Sequence, residues 1–312
     1  MSETFQRRRS RKPSLRELMR ALGVAARNSQ SVWHLYTASR DTCLGKYLAH
    51  RPEIWEMLIT PYLSASWNAF QRLRRVIDHC ATTEKLGPLF TAPWNGYVVL
   101  TTLPEIGPQY RLILDQPRWL LREGQSAISI WDCGDRLFSL SYCLSSVDGK
   151  LVVYVGGVQG RPGEEILERF RRLTKSAHGM RPTDLIIELS KMVFNSIGAE
   201  RVLCVSDENR QQKSDYYNGK LPIMRPLNAI WTERGATRQD DGFFSLPATP
   251  LRRTNDHVAR KKRAIYRSRY EMLDAIATRI DETVQTGLRP EQLLIFGEES
   301  KPWPQAHAGS PK

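Results

Sequence analysis

Residues 137–160 read LFSLSYCLSSVDGKLVVYVGGVQG, and this stretch decides the fold. Phe138, Leu140, Tyr142 and Leu144 alternate with Ser139, Ser141 and Cys143, the period of two that sends successive side chains to opposite faces of a strand. Val147-Asp148-Gly149-Lys150 has the composition of a tight hairpin turn. Leu151–Val158 is almost continuously apolar, as a strand buried on both faces must be. The spacing therefore predicts an antiparallel hairpin whose second strand lies at the centre of a sheet.

Working outward, Tyr97–Thr102, Tyr110–Leu114 and Ala127–Trp131 are short, rich in β-branched and aromatic residues, and separated by Pro and Gly. They extend the hairpin into a meander. Downstream the period changes to that of helices. Glu164–Lys175 follows Pro162-Gly163, and a second helix opens at Pro182 with Leu185, Leu189, Met192 and Val193 on one face. Gly198 ends it, and Arg201–Ser206 returns as a strand. This strand–helix–helix–strand unit predicts an α+β fold with a mostly antiparallel central sheet flanked by helices. Residues 31–85 read as helical, broken at Pro52 and Pro61. Ser14-Leu15-Arg16-Glu17 is a capping box that starts a short basic amphipathic helix. A last helix over 258–285 carries Ile265, Met272, Leu273 and Ile276 on its apolar face. The expected organisation is a basic N-terminal segment (1–30), a helical region (31–90), an α+β core ending in a basic helix (91–285) and a largely disordered tail (286–312).

The chain has 312 residues, 41% apolar and 25% charged, which excludes a disordered, collagen-like or disulfide-scaffold protein. No apolar run reaches the roughly 18 residues that cross a bilayer. Five scattered cysteines (43, 80, 133, 143, 204) without CxxC spacing read as reduced thiols of a cytoplasmic protein. Arg16, Glu17, Arg20 and Arg27 interrupt the N-terminal segment, so it does not read as a cleavable export signal. Net charge is +13, concentrated in two places. Residues 1–20 hold seven Arg and Lys against two Glu, and residues 252–269 hold eight against Asp256. Such patches attract nucleic acid, anionic headgroups or phosphorylated ligands. Without a helix-turn-helix, zinc-finger or RNA-binding signature, specific nucleic-acid readout is not expected. Peripheral contact with the inner membrane stays open for the first helix.

Chemistry is expected at two successive turns. Gly156-Gly157-Val158-Gln159-Gly160 closes the central strand, its glycines permitting close approach or positive φ. Thr174-Lys175-Ser176-Ala177-His178-Gly179-Met180-Arg181-Pro182 leads into the next helix, whose free amides and adjacent cations suit an anion. His178 and Asp207 are the candidate acid–base groups. Gly157, Gln159, Gly160, Thr174, Lys175, Gly179, Arg181, Lys261, Lys262, Arg263 and Arg269 are the candidate ligand-binding residues. Against this stands a plain alternative in which Arg181 pairs with Asp184 and Asp207 sits in a solvated loop. There is no GxSxG, HExxH or P-loop, and no His/Cys spacing for a metal.

Val155–Gly160, Leu173-Thr174-Lys175, His178–Pro182, Val202–Ser206, Trp231 and Lys261–Tyr270 together resemble the VirK/YbjX family, over roughly residues 40–275. The resemblance implies a Gram-negative bacterial protein linked with virulence, envelope integrity and resistance to cationic antimicrobial peptides. It also implies that the two turns and the basic helix form one functional surface. The layout around the central strand is similar to the acyl-coenzyme A site of acetyltransferases of the GNAT group, which hold a pyrophosphate on a Gln/Arg-x-x-Gly-x-Gly/Ala turn. Ser176–Arg181 keeps one of those glycines. Three readings follow: an anion-binding protein acting at the envelope, an acyl-coenzyme A-dependent acyltransferase, and a binding or scaffold protein without chemistry.

Overall fold

The hairpin at 137–160 forms as the alternation predicts, and the computed structural model builds the molecule around it. The structure describes residues 15–217, 226–250, 252–253 and 258–295. Strands β1 (Gly96–Thr102), β2 (Tyr110–Asp115), β3 (Ser126–Asp132), β4 (Asp135–Val147) and β5 (Lys150–Gly160) run as an antiparallel meander. Helices α1 (Leu15–Arg27), α2 (Ser29–Tyr36), α3 (Cys43–His50) and α4 (Ala69–Leu86) precede it. A 3₁₀ turn at Pro52–Leu58 and a bridged loop at Tyr62 and Ser64 stand where the two prolines break the helical pattern. After β5 come α5 (Glu164–Ser176) and α6 (Pro182–Ser196), then β6 (Arg201–Val205), which lies parallel to β5. Gly198 takes φ +75° just past α6, the left-handed position that a helix end favours for glycine.

The chain then adds elements the sequence reading missed. Helix α7 (Leu227–Glu233) is followed by β7 (Thr237–Arg238) and β8 (Phe243–Leu246), and β8 inserts between β6 and β7. Helix α8 (Arg263–Thr286) leads to β9 (Leu293–Ile295), which pairs with β1. The sheet order is β7-β8-β6-β5-β4-β3-β2-β1-β9, with β5–β6 the parallel pair. The start of the expected tail is thus corrected: residues 293–295 belong to the sheet, while 296–312 lie outside the described residues, as do most of the N-terminal cations. No helix among the described residues is long and apolar enough to cross a membrane.

Alternation along β4 separates two layers. Tyr142 meets Phe194 of α6 at 5.1 Å between ring centroids, and Phe138 meets Phe170 of α5 at 5.7 Å. The opposite face carries Ser139, Ser141, Cys143 and Ser145, all buried. There Ser145 donates to Asp78 of α4, and Arg75 lies 4.9 Å over Tyr154, the partner of Cys143. Helices α2–α4 therefore cover the serine face, and α5 and α6 cover the aromatic face.

His79 of α4 fills the space beyond the last β3–β4 pair, Ser126↔Tyr142. Its Nδ1 accepts from the Leu144 amide at 3.1 Å, leaving Nε2–H to donate to Ser126 Oγ at 3.1 Å. The first contact requires the neutral ring, and burial lowers the pKa to about 3. The unfolded chain takes up this proton near pH 6.5, whereas the native ring does not until far lower. Stability from His79 is thus present above pH 6.5 and is lost as pH falls toward 3, at up to about 1.4 kcal/mol per unit. Urea unfolding from pH 7 to 4.5 should show this slope, and His79→Gln should flatten it.

Candidate functional site

Strands β5 and β6 part company early. Val155↔Cys204 is their last pair, yet β5 continues to Gly160, held among the described strands by β4 alone. The β4–β5 register slips between Ser141↔Gly157 and Tyr142↔Val155, so Gly156 is an extra, bulged residue. Neither Gly156 nor Gly157 has a positive φ. Space is what demands glycine. A Cβ on Gly156 would stand 1.9 Å from the Glu123 carbonyl oxygen, and one on Gly157 would stand 2.3 Å from Glu123 Oε2.

Glu123 thus lies directly over the bulge. Its Oε2 accepts from Gln159 Nε2 at 3.3 Å, and its Oε1 accepts from Gln212 Nε2 at 3.2 Å. Burial pushes this carboxyl above the usual range, with Arg210 pulling the other way. Arg122, next in the chain, donates to Tyr217 Oη at 2.9 Å and to Glu56 at 3.0 Å. A partly buried carboxylate with a raised pKa, beside a strand edge that no described strand pairs, is the kind of group that acid–base chemistry uses. Sequence reasoning found Gly157 and Gln159 but missed Glu123, Arg210 and Gln212. The only signal for them was the glycine pair, which implied that something packs on it.

The first expected turn is therefore corrected: Gly156–Gly160 is bulged strand, and the turn follows at 161–163. The two expected turns also face different ways. Gly157 and Gln159 pair with Ser141 and Ser139 on the serine face, whereas Gly160 pairs with Phe138 and lies under the Phe138 and Phe170 rings. The His178 turn sits with α5 and α6 on that aromatic side. His178 has φ +49° and Gly179 φ +78°. The His178 carbonyl accepts twice from Arg269, at 2.7 and 3.2 Å, and Arg269 lies 4.4 Å over Tyr266. Leu167, Phe170, Arg171, Thr174, Lys175 and Gly179 line a shallow depression of about 420 Å³ there. The structure thus joins the His178 turn to the basic helix and sets Gly157 and Gln159 apart from both.

Two candidates have structural partners. Arg181 donates to both oxygens of Asp184, at 2.9 and 3.1 Å, and to Glu233. Asp184 and then Glu233 hold its pKa above the ordinary range. These contacts are the plain alternative offered by the sequence, with Glu233 added, on a side chain that stays 59% exposed. Asp207 likewise has partners: its oxygens accept from the Leu227 and Asn228 amides, each at 2.9 Å, capping α7. Asp207→Ala should cost about 1–2 kcal/mol in denaturant unfolding. Lys261, Lys262 and Arg263 are exposed at the start of α8.

The profile of the family described as "Protein of unknown function (DUF535)" matches residues 12–282. The chain belongs to this family. Among relatives of this DUF535 chain, the "Uncharacterized protein YbjX" of Escherichia coli is 30% identical over 241 residues, covering 75% of this chain and 72% of the relative. Two Haemophilus influenzae proteins are 29% and 27% identical, covering 71% and 72% of this chain and 73% and 75% of their own lengths. No solved structure matches. The match spans the bulged strand, Glu123 and the basic start of α8 alike.

Proposed function

We propose that the protein transfers an acyl group from a pantetheine thioester to a nucleophilic acceptor, with Glu123 as general base. The observation that carries this reading is the parting of β5 and β6 beneath Glu123. The edge of Gly156–Gly160, which no strand among the described residues pairs, can accept an extended, amide-bearing chain as an added strand. A pantetheine arm is such a chain. The parallel β5–β6 pair, the bulge in β5 and the insertion of β8 between β6 and β7 agree with the GNAT-like layout expected from the sequence. We place the acceptor among envelope components, following the role implied by the VirK/YbjX resemblance.

Free-thiol release from an acyl-pantetheine thioester, followed with amine and hydroxyl acceptors, tests the reading. Release that vanishes in Glu123→Gln supports it. No release with either acceptor class, from folded protein, removes it. A second reading is binding of an anionic ligand or an inner-membrane headgroup without chemistry. One observation favours it: Arg260, Lys261, Lys262 and Arg267 are exposed and form no ion pair among the described residues.

A further inference from the structure

Helices α1 and α2 are nearly one helix. Only Asn28 separates them, and its amide donates to the Val24 carbonyl at 3.1 Å while the Val32 amide donates to the Asn28 carbonyl at 3.0 Å. One side of this pair packs on the domain: Val24, Ala25 and Val32 lie partly buried against the core, and Ser31 and Leu35 are buried. Large apolar side chains stand on another side. Met19, Leu22, Trp33 and Tyr36 are 56–77% exposed, and the Trp33 and Tyr36 ring centroids are 6.2 Å apart. With exposed Ala26 and Ser29 they recur at spacings of three and four residues, so one stripe runs through the joint. A Cβ on Gly23, beside it, would meet open space. A helix that serves only its own domain turns such residues inward. A contiguous apolar stripe turned outward marks an interaction surface.

Charge and composition identify what covers it. Residues 1–20 hold seven Arg and Lys against Glu3 and Glu17. Arg16, Arg20 and Arg27 recur at spacings of four and seven, which places them by register along one flank of the stripe. Arg7, Arg8, Arg9, Arg11 and Lys12 precede α1 in the sequence, outside the described residues. The surface is therefore apolar with a cationic border, the complement of anionic headgroups over acyl chains. Trp and Tyr suit the boundary between lipid and water, where the ring is buried and its N–H or O–H stays wet. Ala26 and Ser29 at the middle of the stripe would leave a helix-to-helix seam with a second copy poorly filled. No helix among the described residues is long and apolar enough to cross a membrane, so contact is along the surface.

We infer that α1 and α2 lie flat on an anionic lipid surface, with Met19, Leu22, Trp33 and Tyr36 inserted below the headgroups and the N-terminal arginines among them. This contact is separate from the basic start of α8 and does not depend on acyl transfer.

The test sediments the full chain with vesicles of phosphatidylglycerol and phosphatidylcholine, and with vesicles of phosphatidylcholine alone. The double variant Leu22→Gln, Trp33→Gln is compared with the conservative pair Leu22→Ile, Trp33→Phe. Both positions are exposed, and Tyr36→Gln serves as a further variant should the double variant misfold. The expected result is binding to the anionic vesicles that the Gln variant weakens about tenfold or more and the conservative pair keeps. Added salt should weaken it as well. Absence of wild-type binding overturns the inference, as does equal binding by wild type and the Gln variant. Equal binding to both vesicle types removes the role of charge and also overturns it. Loss confined to the variant Lys261→Gln, Lys262→Gln, Arg267→Gln would assign the lipid to α8 instead and overturn it. A dimer that the Gln variant dissociates, without vesicle binding, would make the stripe a contact between copies and overturn it too.

Discussion

Glu123→Gln lowers acyl transfer by about 10²- to 10⁴-fold, the usual contribution of a positioned general base, while donor binding is kept. The amide preserves the shape of the side chain over Gly157 and one acceptor oxygen for Gln159 or Gln212. It cannot take a proton. Folding stability should hold or rise slightly, because the substitution removes a carboxylate that burial already disfavours in its charged form. Since burial raises the pKa of Glu123, the acid limb of the wild-type rate should fall above the pH where ordinary carboxylates titrate. Equal turnover by Glu123→Gln and wild type would exclude Glu123 as the base.

Gly156→Ala destabilises the fold by about 3 kcal/mol, at the upper end of overpacking costs. The added methyl meets backbone rather than a side chain: the Glu123 carbonyl oxygen at 1.9 Å and its carbon at 2.7 Å. A side chain could rotate away, but here the loop carrying Glu123 must lift off β5. The same displacement would pull the carboxylate from Gln159, so any transfer activity should fall with stability. Urea unfolding measures the first effect and thiol release the second. Gly149→Ala is a useful contrast. That glycine has φ +78° in the β4–β5 turn with open space around it, so its cost is backbone strain alone.

The meander and both helices after it were legible because each announces itself locally. Five strands between 96 and 160 carry their own alternation or β-branched density, and Pro182 and Gly198 mark where α6 starts and stops. Strand β8 spans four residues and β9 three, too short for a period to register. The pairing of Arg181 with Asp184 is a local i,i+3 contact and was weighed from sequence. Its second partner, Glu233, comes from 52 residues away and was not. Glu123 follows a 3₁₀ turn with no periodic signal, and nothing in its neighbourhood marks it as chemical.

The sequence by itself determined the hairpin, the strand–helix–helix–strand unit and the two concentrations of positive charge. These depend on side-chain period and composition, which are properties of contiguous residues. Tertiary structure decided which of the alternatives open in the sequence these charges took. Arg181 is consumed by Asp184 and Glu233, Asp207 by the amides of α7, and Arg269 by the His178 carbonyl. It also decided that Gly157 and Gln159 face Glu123 across one side of β5 while Gly160 turns to the other. The physical reason is that a strand splits neighbours between two layers, and those layers are filled by segments distant in the chain.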